Sequence, residues 1–533
     1  MRRWHKQRSG LTLVEMLVAL ALTVFIMAIL SEAFVTGLNA MRKIKALADV
    51  EQKLRAVADV LRRDLQADHF EGARRLSQLT ASGRVVPQSI PNPFVGITPT
   101  GLPPSRAEFY EMLAPYQLVS PELGYFSLRE FKVPAEILGA SPSTFEGLDR
   151  EGRPVERDED DELAFTVRLP SNDPGNWMDA RVPTGDLLDD YGTVNSRFDY
   201  VNNGRYLSQC FEVYYFLRHD EQRYGTLTGA APALVSTFNL YRRQLAVPAD
   251  NAAVQNILAT PGVPPGVPLG VPVTPSPFSA ARLIGGTWAQ YFQAFDVSAA
   301  FGPGLIPPNP VGFWFNSMAD VQFPRRRYQV RTPAGAGLNA GRLESLDFAG
   351  REGADLLLQN VISLDVKVWD PVALIGTRPN GSQFLAGAFV DIGHDLNVPP
   401  FNGTGLILDG ITYTWNPTSP FVNEASPDFD IPASPAPAIN VAPFLPNRTY
   451  DTGTRRNNDR VPPSGNGMFP FEPGIVRRQG PYVPSFDPVT GAPNPLSQRT
   501  VKPALAISAI QIKIRVFEPN TQQTREITIV VDM

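Results

Sequence analysis

The sequence predicts an α+β fold: a long N-terminal helix, membrane-spanning in its first half, packed on an antiparallel β-sheet with large Pro-rich loop insertions. Three observations predict it. Residues 11–65 show helical apolar patterning with no proline, because the first proline is Pro87. All 52 prolines lie from there onward, where long uninterrupted helices are not expected. Six later segments have strand character.

The composition excludes several function classes. The net charge of −5 argues against a general nucleic-acid binder, so no nucleic-acid partner is expected. The single cysteine, Cys210, excludes an internal disulfide and a multi-cysteine zinc site, and the four histidines are far apart. The sequence contains no Gly-x-Ser-x-Gly, Gly-x-x-x-x-Gly-Lys or His-Glu-x-x-His motif. We therefore expect no enzyme activity, no cofactor and no metal site.

The first element is a basic leader, residues 1–10, followed by an apolar stretch, residues 11–30. Twenty helical residues rise about 30 Å, the thickness of the hydrocarbon core. The basic flank predicts a cytoplasmic N-terminus with the remaining chain outside the membrane. A cut between Gly10 and Leu11 would remove the leader and keep the membrane helix, unlike a secretory signal, which is cut after its apolar stretch.

Glu15 interrupts the apolar stretch. A carboxylate in a membrane helix costs about 2.5–3.5 kcal/mol on insertion scales. One interpretation is a tolerated glutamate that reaches the interface or is protonated. The favoured interpretation is a carboxylate that awaits a cation, and after a cut at Gly10 the nearest new cation is the α-amine of Leu11.

The segment Gly10-Leu11-Thr12-Leu13-Val14-Glu15, followed by an apolar helix, resembles the type IV prepilin signature. The resemblance implies that a membrane-embedded prepilin peptidase cuts after Gly10 and methylates the amine of Leu11. It also implies that Glu15 pairs with the amine of an adjacent subunit in a helical fibre. Leu11 is a departure, because the family usually has phenylalanine there.

The helix is expected to continue over residues 31–68. One face is charged, and the other carries a single apolar stripe at Met41, Ile44, Leu47, Val50, Leu54, Val57, Leu61 and Leu65. A coiled-coil seam is one possible use of this stripe. We favour packing on the chain's own sheet, because the stripe is short and lacks regular charged flanking positions.

The expected sheet comprises six strands: Glu162–Leu169, Phe211–Arg218, Phe238–Leu245, Val361–Asp370, Ala506–Glu518 and Arg525–Asp532. The last two flank Pro519-Asn520-Thr521, which predicts a hairpin. In the first strand of that hairpin Ile510, Ile512, Ile514 and Val516 face one way. This apolar face is the expected seat of the helix stripe.

Several short segments extend the resemblance to the J-type minor pseudopilins of type II secretion. They are Leu61–Leu65, Asp161–Thr166, Val213–Leu217, Leu240–Arg243 and Val361–Val366. The resemblance implies a pilin-like fold, a single-pass inner-membrane protein whose periplasmic β domain is residues 69–533, and assembly with other minor pseudopilins or pilins. Inner-membrane lipid is a further expected partner. The departure is size, because about half of the chain has no counterpart.

The excess is expected to form insertions at about 70–160, 170–208, 246–355 and 371–500. The last range holds 21 prolines, and residues 262–273 repeat a Gly-Val-Pro motif every four residues, which predicts an extended linker. The insertions also contain aromatic residues: Trp288, Tyr291, Phe292, Phe295, Trp314, Phe315, Phe401, Tyr413 and Trp415. Local packing onto the core is favoured over an aromatic surface for sugar or protein.

Three smaller features, the acid-rich segments, an arginine cluster and Cys210, are not expected to have a specific function. The acid-rich segments 158–162, 186–190 and 428–430 match no known calcium-loop spacing, so solvated acids are favoured over a calcium site. Arg325-Arg326-Arg327 is expected to be a solvated turn rather than a contact for a partner's acids. Cys210 precedes a strand and is expected to be a buried small residue.

The favoured function is a structural one: a J-like minor pseudopilin near the tip of a type II secretion pseudopilus. A minor pilin of a surface or DNA-uptake filament shares every leader feature. A K-type pseudopilin would better explain the size, but that family typically lacks the glutamate present as Glu15. A hydrolase or glycan-binding protein anchored by a pilin leader is the remaining alternative.

Overall fold

The structure is a computed structural model of the full chain. The residues it describes are 12–70, 75–80, 82–85, 89, 112–116, 121, 123–130, 161–171, 173–181, 205–225, 234–247, 292, 295–302, 312–316, 318, 320–322, 327–328, 343, 355–392, 406–416, 419, 448–452 and 505–533. The Gly-Val-Pro repeat and the acid-rich segments 186–190 and 428–430 lie outside them.

One helix, α1, spans Leu13–Gln66. It begins at Thr12, whose extended backbone and side chain form the N-cap, and it ends before the extended residue Ala67. The predicted long helix is confirmed, and its continuation ends at Gln66 instead of residue 68. Its 54 residues correspond to a length of about 81 Å at 1.5 Å per residue.

Fifteen strands are formed within the described residues. They are β1 Phe126–Glu130, β2 Glu162–Arg168, β3 Met178–Arg181, β4 Arg205–Ser208, β5 Cys210–Gly225, β6 Leu234–Val247, β7 Ala299–Gly302, β8 Gly312–Phe315, β9 Leu356–Thr377, β10 Gln383–Val390, β11 Leu406–Leu408, β12 Ile411–Trp415, β13 Arg448–Asp451, β14 Ala509–Glu518 and β15 Gln523–Asp532. All six predicted strands are present, at β2, β5, β6, β9, β14 and β15.

Eleven of these strands form one antiparallel sheet. Its main path runs β11-β12-β9-β6-β5-β2-β1-β13, with β14 paired to β9, β15 paired to β14, and β10 paired to β9. The predicted hairpin β14–β15 is confirmed over its full length. Its turn closes with the amide of Gln522, at a positive φ of 54°, donating to the carbonyl of Glu518 at 2.8 Å.

Sequence reasoning missed the strands that lie within the ranges expected to be loops. They include β1, which extends the sheet beyond β2, and β10 to β13 in the proline-rich range 371–500. Two further pairs, β3–β4 and β7–β8, form small separate sheets. Most of these strands have only three to five residues, too few for a periodic pattern to distinguish them from loops.

Only the C-terminal part of the helix stripe, from Val50 onward, packs on the sheet. Val50, Leu54, Val57, Leu61 and Leu65 are buried against β15, β14 and β9. The expected seat is confirmed there, because the hairpin and its neighbour supply the apolar surface. Leu47 is half-buried, and Met41 and Ile44 are exposed. All residues from Leu13 to Lys45 are exposed, on every face of the helix, so the described part of the sheet does not reach this part of α1.

A second apolar core covers the opposite face of the sheet. It joins Tyr214, Phe216 and Tyr241 of the central strands to residues of the expected insertions, including Phe292, Met318 and Tyr328. Phe292 is fully buried, which confirms local packing for this aromatic residue. Trp288, Tyr291 and Phe401 lie outside the described residues. The central strands are therefore buried on both faces.

The pair registers also give the direction of the sheet relative to α1. Glu51 lies beside Arg525 at the start of β15, whereas Met533, just past its end, accepts a hydrogen bond from Ser77, which follows the helix. β15 therefore runs in the same direction as α1, and so does β9, which is two antiparallel pairings away. Val368 is the last residue of β9 that pairs with β14. From there β9 continues to Thr377, beyond the end of α1.

Candidate functional site

The first half of α1 is the part of the chain to which the sequence assigned a function. Gly10 and Leu11, the expected processing site, lie outside the described residues. Glu15 lies in the first turn of α1. From Leu13 to Lys45 every residue is exposed, so this half of the helix has no apolar partner in the described chain.

Glu15 and Thr12 form a reciprocal capping box. The amide of Thr12 donates to Oε2 of Glu15 at 2.8 Å, and the amide of Glu15 donates to Oγ1 of Thr12 at 3.3 Å. Each side chain thereby satisfies a backbone donor that the helix leaves without an intrahelical acceptor. The Glu15 carboxylate is consequently held one residue away from Leu11, where a cut after Gly10 would create a new amine.

The apolar character of this half fits a membrane anchor. The most apolar 18-residue window of α1 has a mean hydropathy of 2.7, and none of that window is buried in the protein. The exposed large apolar side chains run from Leu13 to Ile44. At 1.5 Å per residue this run spans about 48 Å, longer than a hydrocarbon core of about 30 Å.

The other end of α1 is fixed to the sheet by a buried polar cluster. Oδ2 of Asp64 accepts hydrogen bonds from the Tyr215 hydroxyl at 2.6 Å and from Nε of Arg242 at 2.7 Å. Arg242 also donates from Nε to the Tyr215 oxygen at 3.1 Å. Burial and the neighbouring Asp64 carboxylate raise the pKa of the Tyr215 hydroxyl well above its usual value. The tyrosine therefore stays protonated and donates to the carboxylate.

These three residues come from three short segments that lie far apart in the sequence: Leu61–Leu65, Val213–Leu217 and Leu240–Arg243. Sequence reasoning assigned no role to Asp64, Tyr215 or Arg242. An acid on the apolar stripe and adjacent arginines within a strand were the available signals, but the pairing spans 151 to 178 residues of chain. It becomes visible only once the register of β5 and β6 is known.

Arg243, the neighbour of Arg242 on β6, points to the opposite face. Its Nη1 lies 2.7 Å from Oδ2 of Asp355, and its Nη2 lies 3.2 Å from Oδ1 of Asp296 and donates to the carbonyl of Phe292 at 2.7 Å. Because strand residues alternate between faces, two successive arginines fasten two different layers to one strand. Arg242 holds the helix and Arg243 holds the segment around Phe292.

A buried carboxylate, Glu212 on β5, organises the polar part of the second core. It accepts a hydrogen bond from the Tyr214 hydroxyl at 2.8 Å and another from Ser298, which in turn accepts from Asn316 at 2.8 Å. Burial raises the pKa of Glu212, whereas the hydrogen bonds from Ser298 and Tyr214 oppose that shift. The cluster binds β5 to the segments around β7 and β8.

Two expectations about charged clusters were wrong. Arg327 is not in a solvated turn: its side chain is buried, its guanidinium carbon lies 3.4 Å from the Tyr125 ring centroid, and Nη2 donates to the Gln322 carbonyl at 2.9 Å. The end of the acid-rich segment 158–162 is also buried, at Asp161 and Glu162. Asp161 accepts from the amide of Val366 at 2.6 Å. Local charge runs could not reveal these distant partners.

The chemistry of the remaining residues is limited. Within the described ranges, no group of three or more His, Cys, Asp or Glu side chains is arranged to hold a metal ion. Cys210 is the first residue of β5 and is half-buried, and it forms no disulfide. The arrangement therefore offers an exposed apolar helix for association and a buried anchor for that helix.

A comparison with known protein families identifies a motif at the N-terminal end of the chain. Residues 5–31 match the family described as the prokaryotic N-terminal methylation motif. No curated protein and no solved structure matches the chain. The matched residues include the second half of the basic leader, Gly10, Glu15 and the whole apolar stretch 11–30, and this motif supports a pilin or pseudopilin subunit in general terms.

Proposed function

We propose that the chain is a J-like minor pseudopilin of a type II secretion pseudopilus, placed near the filament tip. The observation that carries the proposal is the contrast along α1. Its first half matches the methylation motif and is fully exposed, whereas its second half is buried on an antiparallel sheet. A filament subunit needs an exposed N-terminal half through which it associates with its neighbours. It also needs a C-terminal half that is buried in its own folded domain.

The proposed order of events begins at the inner membrane. The leader, residues 1–10, stays in the cytoplasm, residues 11–30 span the membrane, and the domain from residue 69 lies in the periplasm. A prepilin peptidase cuts after Gly10 and methylates the Leu11 amine. The Glu15 carboxylate then pairs with the amine of a neighbouring subunit, because in low-dielectric surroundings each charge needs a partner.

The J-like assignment is supported by the Asp64–Tyr215–Arg242 cluster, which joins three of the segments that carry the resemblance. A minor pilin of a type IV pilus or DNA-uptake filament would share the leader chemistry. Co-purification separates the two, because the favoured function requires partner pseudopilins of a secretion system.

The direct test of the proposal is processing. Co-expressed with a prepilin peptidase, the chain should acquire a methylated N-terminus at Leu11, and Gly10→Val should block the cut. Ser9→Ala is the matched control, since it changes the leader without altering the glycine. Retention of Met1 in the wild type, or a cut after the apolar stretch, would refute the proposal.

A further inference from the structure

The end of β9 and the strands β10, β11 and β12 form an arm that extends past the main sheet on the side away from the N-terminal half of α1. β10 pairs with one side of the end of β9 and β12 with the other. The hairpin between β11 and β12 turns at Asp409 and Gly410, which both have positive φ, as a type I′ turn requires. Ile407 and Leu408 of this arm are exposed.

The root of the arm is a bulge in β9. Asp370 pairs with Ala388 and Leu374 pairs with Ala386, so residues 371–373 face the single residue Gly387. A β-bulge bends its strand and raises the local twist. A Cβ on Gly387 would lie 2.3 Å from a ring carbon of Trp369, so only glycine fits this close approach. The bulge is where the arm departs from the sheet.

A buried polar cluster holds this bulge to the segment after β12. The carboxylate of Asp370 accepts hydrogen bonds from the amide of Val372 at 2.9 Å and from the hydroxyl of Ser419. Nδ2 of Asn416 donates to the carbonyl of Val372 at 2.7 Å, and its amide donates to the carbonyl of Ala373 at 2.8 Å. The cluster thus joins β9 to the segment after β12 at the root of the arm.

Among the residues that the structure describes, the strands packed beside Asp370 supply no charged partner for its carboxylate. Neither β10 nor residues 411–419 contain an acidic or basic residue. On β9 the nearest charged side chain is Lys367, which pairs with Asp365 and Asp391. Burial raises the pKa of the Asp370 carboxyl to about 6, although the hydrogen bonds from Ser419 and Val372 oppose the shift.

We propose that Asp370 is a pH-sensitive latch that sets how firmly the distal arm is held on the sheet. While the arm is held on the sheet (the closed state), the protonated carboxyl is favoured, because the carboxylate is buried and no described residue places a cation against it. In an opened arm the carboxyl would titrate at its ordinary, lower value. The closed state therefore gains stability as the pH falls through about 6 and loses it as the pH rises.

Hydrogen exchange of the full chain in detergent micelles tests this latch. After correction for intrinsic exchange rates, amides of β10 and β12 should be protected about tenfold more at pH 5 than at pH 7.5, as a carboxyl shifted to about 6 requires. The hairpin β14–β15 is the internal control, and its relative protection should not change. An arm whose protection is equal at both pH values would overturn the proposal.

Two variants identify the group responsible. Asp370→Asn keeps the shape but cannot ionise, so the arm should be protected equally at both pH values. Asp391→Asn, the matched control on a neighbouring acid, should keep the wild-type response. A wild-type response in Asp370→Asn would overturn the proposal. If Asp370→Asn fails to fold, Ser419→Ala replaces it and should lower arm protection more at pH 7.5 than at pH 5, because it removes a donor to the charged carboxylate.

Discussion

The two halves of α1 share a helix and differ in almost every other respect. From Leu13 to Lys45 the side chains are exposed, whereas from Val50 to Leu65 one face is buried on β15, β14 and β9. The apolar residues of the two halves are chemically alike. What differs is the partner: the chain supplies a sheet for the second half and none, among its described residues, for the first.

This difference separates two energetic roles within one continuous element. Changes in the second half should lower the stability of the fold, because they remove contacts within the chain. Changes in the first half should leave the fold intact and act on membrane insertion or association.

The largest effect on folding is expected from Asp64→Ala. The substitution leaves the largely buried Arg242 guanidinium (side chain 11% exposed) and the buried Tyr215 hydroxyl without their acceptor, and breaking one side of a buried pair costs about 3–5 kcal/mol. Chemical unfolding of the chain in detergent micelles measures the loss. Asp59→Ala is the control, because the exposed Asp59 pairs with Arg62 on the helix surface, where an ion pair contributes little. Equal losses in the two variants would contradict a buried anchor.

The corresponding change in the first half is Glu15→Val. If Glu15 pairs with a neighbour's amine, the change leaves a buried ammonium unpaired, and a loss of about 3–5 kcal/mol corresponds to an association weaker by about 150- to 4,000-fold. A partial loss is expected, since the sheet domain can also dock. The unfolding free energy and the cut at Gly10 should be unchanged.

Crosslinking to partner subunits at equal membrane levels measures this association. Glu15→Gln serves as the matched variant, because it keeps a polar side chain of the same size and removes only the charge. Equal recovery of partners with wild type and Glu15→Val would show that the carboxylate does not drive assembly.

A matched pair of apolar truncations compares the halves most directly. Leu61 is 1% exposed and Met41 is 70% exposed. Leu61→Ala should cost about 2–5 kcal/mol of stability, because it removes buried methyl groups and leaves a cavity. Met41→Ala should change stability by less than about 0.5 kcal/mol. If the two variants lost comparable amounts of unfolding free energy, the N-terminal part of the stripe, around Met41, would also pack within the chain.

The sequence predicted the frame of the fold because that frame is periodic. A 54-residue helix and strands such as β14, with Ile510, Ile512 and Ile514 on one face, have patterns that repeat often enough to identify. β11 and β13 have three or four residues, so no period is established. The prepilin segment around Gly10 and Glu15 was identifiable because its residues are contiguous.

The anchors could not be predicted for the opposite reason. Asp64 meets Arg242 across 178 residues, and Asp161 meets Val366 across 205. Such pairs depend on the register of several strands, and a one-residue shift would move each side chain to the other face. For Arg327 the local sequence predicted the wrong environment. Three successive arginines are typical of a solvent-exposed turn, whereas the guanidinium of Arg327 is buried against the ring of Tyr125.

The smallest effect is expected where the two halves of α1 meet. Glu51 lies 3.8 Å from Arg525 and 3.9 Å from Arg55, and its side chain is 48% exposed. Exposed ion pairs contribute about 0–1 kcal/mol, since water screens them and ordering two long side chains costs entropy. Glu51→Ala should therefore lower stability by less than about 0.5 kcal/mol, and the loss should vanish at high salt.

Val50→Ala, one residue earlier, should lower stability more, because Val50 is buried on the sheet. Thermal unfolding of both variants at low and high salt decides which interaction fixes the point where the helix leaves the sheet. A loss above about 1 kcal/mol for Glu51→Ala would assign that point to charge, whereas the expected order assigns it to apolar packing.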